Sequence, residues 1–235
     1  DSIRKRWAKI PVPGLWTMQP ESDVFFDKPI YTNTQMPFEE TPPFVPEQNP
    51  TGIYERDFEI PGSWENKRIV LHLGGFESVA LIWVNGDVVG MSKDSRLAAE
   101  FDITKFIKGG KNTLRIDVTK WSDATFIEDQ DQWWMAGLHR EVFVRSQAII
   151  AIEDVSVVAG VARSGGGTLS IDVKVSVPII EKLQRGWMVV AQLETFDGKK
   201  VGAPRSSEVA WFDVPYVFEG HVARFRQWEV DDVDL

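Results

Sequence analysis

The stretch VALIWVNGDVVGM, residues 79–91, decides the fold class of this chain. Its first six residues are apolar, and they lead into Asn85-Gly86, a dipeptide strongly favoured in two-residue β-hairpin turns. Both central positions of such a turn need a positive φ, which asparagine and glycine tolerate. A second apolar run follows at once. The stretch therefore predicts an antiparallel hairpin in which Asn85 serves the turn and Trp83 faces the core.

The same signals recur on both sides of this hairpin. Alternating or short apolar runs, separated by turn residues, predict strands at 52–60, 68–74, 99–107, 113–121 and 138–146. The run at 99–107 is expected to end in a short helical turn. Short strands at regular spacing are typical of a β-sandwich such as a jelly roll. The first fifty residues are rich in proline, which excludes long helices and central strands, so they predict an extended arm packed on this sandwich.

The strand pattern restarts near residue 147. Further alternating runs lie at 152–161, 167–177, 186–196 and 221–230. They predict a second, smaller β-sandwich of immunoglobulin type, with about five strands where such domains have about seven. We therefore expect an all-β chain with a jelly-roll domain at 1–146 and an incomplete immunoglobulin-like domain at 147–235.

Charge and composition exclude several classes of partner. The net charge is −9 and lysine and arginine do not cluster, which disfavours nucleic acid and anionic membranes as partners. The sequence contains no apolar run of about 20 residues that could span a bilayer. It starts without the apolar segment of a secretion signal, and it contains no cysteine, so a cytoplasmic location is expected.

The residue inventory also narrows the chemistry. The absence of cysteine excludes disulfides, thiolate metal sites and cysteine nucleophiles. The three histidines are far apart in sequence and do not predict a zinc site; they are His72, His139 and His221. The sequence has neither a G-x-S-x-G nucleophile motif nor a phosphate-binding loop.

An acidic cluster next to two indoles, FIEDQDQWWMAGLHREV at 126–142, is the most specific stretch. The carboxylates are Glu128, Asp129 and Asp131, and the indoles are Trp133 and Trp134. Carboxylates bind sugar hydroxyls and cations, and indole faces stack on sugar C–H surfaces. All three carboxylates lie on one loop, whereas a glycosidase pair flanks the scissile bond, so the loop predicts binding rather than catalysis. We expect Arg140 to contact this cluster and fix the loop.

Two further stretches carry polar residues with alternative roles. In DKPIYTN, residues 27–33, the amide of Asn33 can donate to and accept from sugar hydroxyls, or it can satisfy backbone groups in a turn. In the loop that begins at Lys93, Asp94 and Arg96 can form a structural pair, but a solvated loop with one or two ion pairs of small energy is the favoured interpretation.

Taken together, these stretches resemble one family. The motifs are DKPIYTN at 27–33, PPFVPEQNPTGIYERDFEIPGSW at 42–64, VNGDVVGMSKDSRLAAEFDIT at 84–104 and WSDATFIEDQDQWWMAGLHREV at 121–142. They are similar to the N-terminal domain of glycoside hydrolase family 2 β-galactosidases of the lactose-operon type. The resemblance is strong over residues 8–146 and weaker over 147–235.

The resemblance implies a role for each part of the chain. In the family a jelly roll and an immunoglobulin-like domain precede a TIM barrel, which carries both catalytic glutamates and the magnesium site. It implies no catalytic residue here. Asn33 and Asp131 are implied to bind the galactosyl group, and Asp131 to be a sodium ligand whose partners lie on the barrel. One or both of Trp133 and Trp134 are expected to anchor the loop.

The resulting hypothesis is the N-terminal part of a retaining β-galactosidase, inactive and without cofactor on its own. Sodium and magnesium are implied for the whole enzyme. Its partners would be a β-galactoside and the C-terminal domains of its own chain, and the whole enzyme would be a homo-oligomer. The alternatives are a stand-alone carbohydrate-binding module and a family 2 enzyme with another specificity, such as a β-glucuronidase or β-mannosidase.

Overall fold

A computed structural model describes residues 7–19, 27–163, 165–177, 186–214 and 218–230. Strands make up almost all of the regular secondary structure of the described residues, so the all-β prediction is confirmed. It divides into two compact units, Asp1–Gln147 and Ala148–Leu235. Among the described residues, no helix combines the length and the apolar character that a membrane crossing requires.

Within residues 7–19 and 27–147 the first unit contains eleven strands and one short α-helix. The strands are β1 (Gly14–Leu15), β2 (Ile30–Tyr31), β3 (Thr51–Glu59), β4 (Arg68–Leu73), β5 (Val79–Val84), β6 (Asp87–Ser92), β7 (Ala99–Asp102), β8 (Lys111–Thr119), β9 (Trp133–Trp134), β10 (Gly137–Leu138) and β11 (Val142–Gln147). The helix α1 spans Ala124–Ile127, and Thr104–Phe106 form a short 3₁₀ turn after β7, as expected.

Two antiparallel sheets form the sandwich of the first unit. One has the order β3-β8-β5-β6 and the other the order β11-β4-β7. Alternate residues of β5 and β8 are buried, because successive side chains of a strand point to opposite faces. These residues pack with β4 in one core cluster, which includes Leu71, Ile82 and Ile116. Burying side chains of this size stabilises the unit by roughly 1.5–3 kcal/mol each.

The hairpin prediction at 79–91 is confirmed in its turn and wrong for its tryptophan. Asn85 and Gly86 both have positive φ, and Asn85 Oδ1 accepts a 3.1 Å hydrogen bond from the Thr113 amide. Trp83, however, alternates with the buried Ile82 and lies on the outer face, where the Arg115 guanidinium is 5.7 Å from its ring centroid.

The run at 138–146 is two strands rather than one. Leu138 pairs with Gly14, whereas β11 pairs with β4, so the chain changes partners between them. The Glu141 carbonyl accepts a 2.8 Å hydrogen bond from the Gly74 amide inside this break. The proline-rich arm is docked as expected, because β1 pairs with β10 and β2 pairs with β9.

The second unit is a smaller β-sandwich. Its strands are β12 (Ala151–Val161), β13 (Gly167–Ser176), β14 (Met188–Glu194), β15 (Lys200–Glu208), β16 (Ala210–Val214) and β17 (Phe218–Val230). One sheet has the order β12-β13-β17-β16, and β14 pairs with β15. Val173, Val209 and Phe225 belong to its core cluster. The strand runs quoted from the sequence did not include β15 and β16.

Candidate functional site

A two-stranded ribbon carries the residues that the sequence singled out. In it β2 pairs with β9, with Ile30 opposite Trp134 and Tyr31 opposite Trp133. Because side chains alternate along a strand, one pair is turned inward and the other outward. Trp134 is 2% exposed, whereas Tyr31 is 49% and Trp133 is 53% exposed.

Asn33 and Asp131 both lie just outside this ladder. The ladder ends at Tyr31 and Trp133, so Asn33 lies two residues beyond it on one segment and Asp131 two residues before it on the other. Both side chains are exposed. We call the exposed residues on and beside the ribbon, Tyr31, Asn33, Asp131 and Trp133, the ribbon face. It combines a carboxylate, an amide and two aromatic rings.

A hydrogen bond fixes the acidic side of the ribbon face. The Tyr31 hydroxyl donates to Asp131 Oδ1 over 2.8 Å. This bond, together with the nearby negative charge, raises the pKa of the Tyr31 phenol, because ionisation would remove the donor and set two anions side by side. The Tyr31 ring also lies 5.6 Å from the Trp133 ring, at an angle of 41°. Tyr31 therefore orients both neighbours.

Trp134 anchors the ribbon from below, as the sequence predicted for one of the two indoles. Its Nε1 donates a 2.7 Å hydrogen bond to Thr32 Oγ1. Its ring meets Trp121 edge to face at 5.6 Å, and Phe38 in turn packs against Trp121 at 5.2 Å. Such aromatic pairs are worth about 0.5–1.5 kcal/mol beyond the area that they bury.

A buried lysine ties the arm to the sandwich just before β2. Lys120 follows β8 and its side chain is 1% exposed. Its ammonium donates to the Asp27 carboxylate and, over 3.2 Å, to the Lys28 carbonyl oxygen. A buried charge is costly unless it is paired, so this contact fixes the start of the segment that carries Asn33. Sequence reasoning did not single out Lys120. The neighbouring Trp121 was the one feature of the sequence that marked this position.

Glu128 is a structural residue of the acidic loop. Its two oxygens accept hydrogen bonds from the Ser95 amide at 3.0 Å and the Ser95 hydroxyl at 2.5 Å. Ser95 is fully buried, and His139 Nε2 lies 3.1 Å from its carbonyl oxygen. Burial lowers the pKa of His139, which favours a neutral imidazole there. Asp129, in contrast, is exposed.

The expected contact of Arg140 with the acidic cluster is wrong, and the Asp94–Arg96 pair that the sequence left open is not the pair that forms. Arg96 does not pair with Asp94: its guanidinium donates to both oxygens of Glu77, at 3.0 and 3.4 Å. Arg140 does not reach the acidic cluster, and instead donates a 3.5 Å hydrogen bond to the Arg96 carbonyl oxygen. The loop is thus held by Glu128 and Ser95. The physical reason is burial: Glu77 lies 9% exposed beside Arg96 and needs a charge partner.

The ribbon face offers only a small part of a cation site. Among the described residues, no three histidine or acidic side chains are grouped so that they could hold a metal ion. Asp131 supplies one carboxylate, and Tyr31 already occupies one of its oxygens. Hard cations take several oxygen ligands, so Asp131 fits the role of a single ligand in a shell completed by other groups.

Comparison with known proteins places the chain in a family. The family model described as "Glycosyl hydrolases family 2, sugar binding domain" matches residues 2–147. A β-galactosidase of Vibrio cholerae is 46% identical over 148 residues, which cover 63% of this chain and 14% of that protein. A β-galactosidase of Photobacterium profundum is 36% identical over 241 residues, which cover 97% of this chain and 22% of that protein.

Solved structures agree on the fold. A β-glucuronidase of Bacteroides uniformis has a TM-score of 0.62 at 21% identity, covering 77% of this chain and 22% of that one. A calcium binding mutant of Bacteroides uniformis β-glucuronidase 2 has a TM-score of 0.63 at 20% identity, covering 95% of this chain and 24% of that one.

The β-sandwich of the first unit corresponds to the sugar-binding domain that the family model describes for this class of glycosidases. This chain belongs to glycoside hydrolase family 2. It spans about a fifth of the length of the curated relatives that it matches, from 14% to 22% in the β-galactosidases of Vibrio cholerae and Photobacterium profundum.

Proposed function

We propose that this chain is the sugar-binding N-terminal part of a retaining β-galactosidase, an enzyme that hydrolyses terminal, non-reducing β-D-galactosides. The assignment of galactose as the sugar rests on one observation. The similar curated β-galactosidases are 35% to 46% identical to the chain. The similar β-glucuronidase structure is 21% identical and supports the shared fold alone. A β-glucuronidase or β-mannosidase is therefore the weaker hypothesis.

The ribbon face supports galactoside binding through two polar groups. The Asp131 carboxylate accepts hydrogen bonds from sugar hydroxyls, and such charge-assisted bonds are worth about 1.5–3 kcal/mol. The Asn33 amide can both donate and accept. Because Tyr31 already holds Asp131 in one orientation, less conformational entropy is lost when the sugar binds.

The chain contributes binding, and we assign it no catalytic residue. A retaining glycosidase needs two carboxyl groups about 5–5.5 Å apart on either side of the scissile bond. Both oxygens of Glu128 are used by Ser95. The catalytic pair would therefore belong to another part of the whole enzyme, where the family resemblance assigns it to a TIM barrel.

Further properties of the whole enzyme follow from the same resemblance. Asp131 would give one anionic oxygen to a sodium ion, and the other ligands would come from outside this chain. Magnesium binding and a homo-oligomeric assembly are also implied by the resemblance, whereas the cytoplasmic location is a prediction from the composition of the sequence.

Hydrolysis of nitrophenyl glycosides by the whole protein that contains this chain tests the proposal. We expect turnover of the β-galactoside to exceed that of the β-glucuronide and the β-mannoside by at least about a hundredfold, as expected when a site hydrogen-bonds the substrate's own hydroxyls. The purified chain should turn over none of the three. Preference for the glucuronide, or turnover by the chain itself that changing Asp129 abolishes, would contradict the proposal.

A further inference from the structure

The core side of strand β12 in the second unit is only half covered. Three of its residues lie directly opposite residues of β13 that belong to the core cluster or pack against it; the pairs are Ile152–Val175, Val155–Val173 and Val157–Ile171. Directly opposite side chains of paired strands lie on the same face of the sheet. Val173 is 3% exposed, whereas Val155 is 49% and Val157 is 54% exposed. Apolar side chains on the core side of β12 are therefore open to solvent.

The other face of the same sheet is polar, which sets the core face apart. Ser156 of β12 is paired with Asp172 of β13 on that outer face. The guanidinium groups of Arg224 and Arg226 form ion pairs with Asp172, at 3.4 and 2.6 Å. A sheet with one polar and one apolar face buries the apolar face against a second layer. The exposed valines mark a place that the second layer does not reach.

The strand order indicates which strands the second layer lacks. The four-stranded sheet has the order β12-β13-β17-β16, so the first, second, sixth and fifth strands of the unit are neighbours. An immunoglobulin domain, with its strands lettered along the chain, has the same sheet, A-B-E-D, packed on a sheet that contains C, F and G. Strand β14 takes the position of C, and β15 that of the additional strand C′. Within residues 148–163, 165–177, 186–214 and 218–230, no strand takes position F or G.

The free edge of β14 is where the second layer would continue. Among the described residues β14 pairs with β15 alone, so its other edge carries no strand. In an immunoglobulin sheet F pairs with C, and G pairs with F. Since the two sheets pack face to face with aligned strands, G lies over the edge strand A, which is β12 here. The exposed valines and the two absent strands thus belong to the same edge of the sandwich.

We propose that the free edge of β14 and the core face of β12 bind two further strands of the same polypeptide, which follow β17 in the chain. The first pairs with β14; the second pairs with the first and covers Ile152, Val155 and Val157. The occupant belongs to the same polypeptide because both absent strands come after β17 in the immunoglobulin order, and the chain spans 22% of the length of its Photobacterium profundum relative. The proposal rests on the proposed function in one respect, that the chain is part of a longer enzyme.

Single cysteines report how well each face of β12 is covered, because the chain has no cysteine of its own. Val157→Cys lies on the core face. Val158→Cys is the matched control, since Val158 is 66% exposed on the opposite face of the same strand. Both should react with a maleimide at similar rates in the purified chain. In the whole enzyme we expect the rate to fall at least about a hundredfold for Val157→Cys and to stay within about fivefold for Val158→Cys.

Hydrogen exchange of β14 distinguishes a strand that pairs there from a domain that only covers the face. Successive residues of a strand direct their amides to opposite edges, so about half of the β14 amides face its free edge. A strand at that edge should slow the exchange of these amides at least about tenfold in the whole enzyme relative to the purified chain. Mass spectrometry of peptides that contain residues 188–194 measures this in the unmodified proteins, so it needs no variant.

Each contrary result would overturn the proposal. Equal labelling of Val157→Cys in the purified chain and the whole enzyme would show that nothing packs on the core face. Equal protection of both cysteines, or protection of Val157→Cys without slower exchange in β14, would assign the covering to another domain. Slow labelling already in the purified chain would assign it to the chain itself, or to a second copy where it depends on protein concentration. The galactoside preference is tested separately, by the hydrolysis assay of the proposed function.

Discussion

Tyr31 and Asp131 lie 100 positions apart in the chain and are joined by a 2.8 Å hydrogen bond from phenol to carboxylate. This contact joins the proline-rich arm to the acidic loop and gives the ribbon face its geometry. The same contact raises the pKa of Tyr31 above the ordinary phenol value of 10.0.

Replacing Asp131 should therefore change the titration of Tyr31. In Asp131→Asn the carboxylate charge is gone, so ionisation of the phenol becomes easier and the pKa of Tyr31 should fall towards that of a free tyrosine. Carbon-13 NMR of the tyrosine ring measures this titration directly. Asp129→Asn removes another exposed charge two residues away and is the control. A Tyr31 pKa that Asp131→Asn leaves unchanged would disprove the contact.

Lys120 should contribute far more to stability than a surface lysine. Lys120→Met leaves the Asp27 carboxylate without its partner and removes the tie to the Lys28 carbonyl, so we expect a loss of about 2 kcal/mol. Lys93 is the matched control because it pairs with Asp123 where both side chains are about half exposed. Lys93→Met should cost only about 0.5 kcal/mol. Urea denaturation of the first unit measures the free energy of unfolding of both variants. Equal losses of stability in the two variants would contradict the prediction.

Tyr54 should make the first unit sensitive to alkali. Burial raises the pKa of Tyr54 to about 12, against a smaller opposite effect of the Leu138 amide, which donates to its hydroxyl over 3.3 Å. A raised folded-state pKa gives stability that is fully present below pH 10 and is lost as the pH rises from about 10 towards 12, in total about 2–3 kcal/mol.

Tyr54→Phe provides the test of this alkaline loss. At pH 7 the variant should be less stable by about 1 kcal/mol, because the Leu138 amide loses its acceptor. Between pH 10 and 11.5 that deficit should shrink, since the variant has no buried phenol to ionise. Thermal melts across this range measure both curves, and parallel curves would contradict the assignment.

The sequence predicted regular strands well and long-range contacts poorly, for physical reasons. Alternation identified β3 and β8, and the Asn85-Gly86 turn identified the hairpin, because these signals are local. The strand β15 was missed because Gly202 and Pro204 interrupt its pattern. The Arg96–Glu77 pair and the Tyr31–Asp131 bond depend on which strands become neighbours, and residue spacing does not contain that information.

Assigning roles to the acidic residues required both the sequence and the hydrogen bonds of the folded chain. Residue type alone left Glu128, Asp129 and Asp131 equivalent as carboxylates of one loop. The family resemblance singled out Asp131. The hydrogen bonds then distinguish Glu128, which accepts from the amide and hydroxyl of the buried Ser95, from Asp131, which lies on the exposed ribbon face.

Glu128 and Asp131 should accordingly respond in opposite ways to loss of charge. Glu128→Gln can accept only one of the two bonds from Ser95, so we expect a stability loss of about 1–2 kcal/mol with galactoside binding by the folded chain retained. Asp131→Asn should keep its melting temperature and lose affinity. Melting curves and sugar titrations of both variants test this difference. A loss of stability in Asp131→Asn with none in Glu128→Gln would contradict the assignment.

The most direct test of the central claim, that Asp131 binds both sugar and cation, is a sodium titration of kcat/KM for β-galactoside hydrolysis by the whole enzyme. Hydrogen bonds that strengthen in the transition state contribute to kcat as well as to KM. We predict that Asp131→Asn lowers kcat/KM at saturating sodium by at least about tenfold and weakens the sodium dependence. A variant that retains both the rate and the sodium dependence would contradict the account.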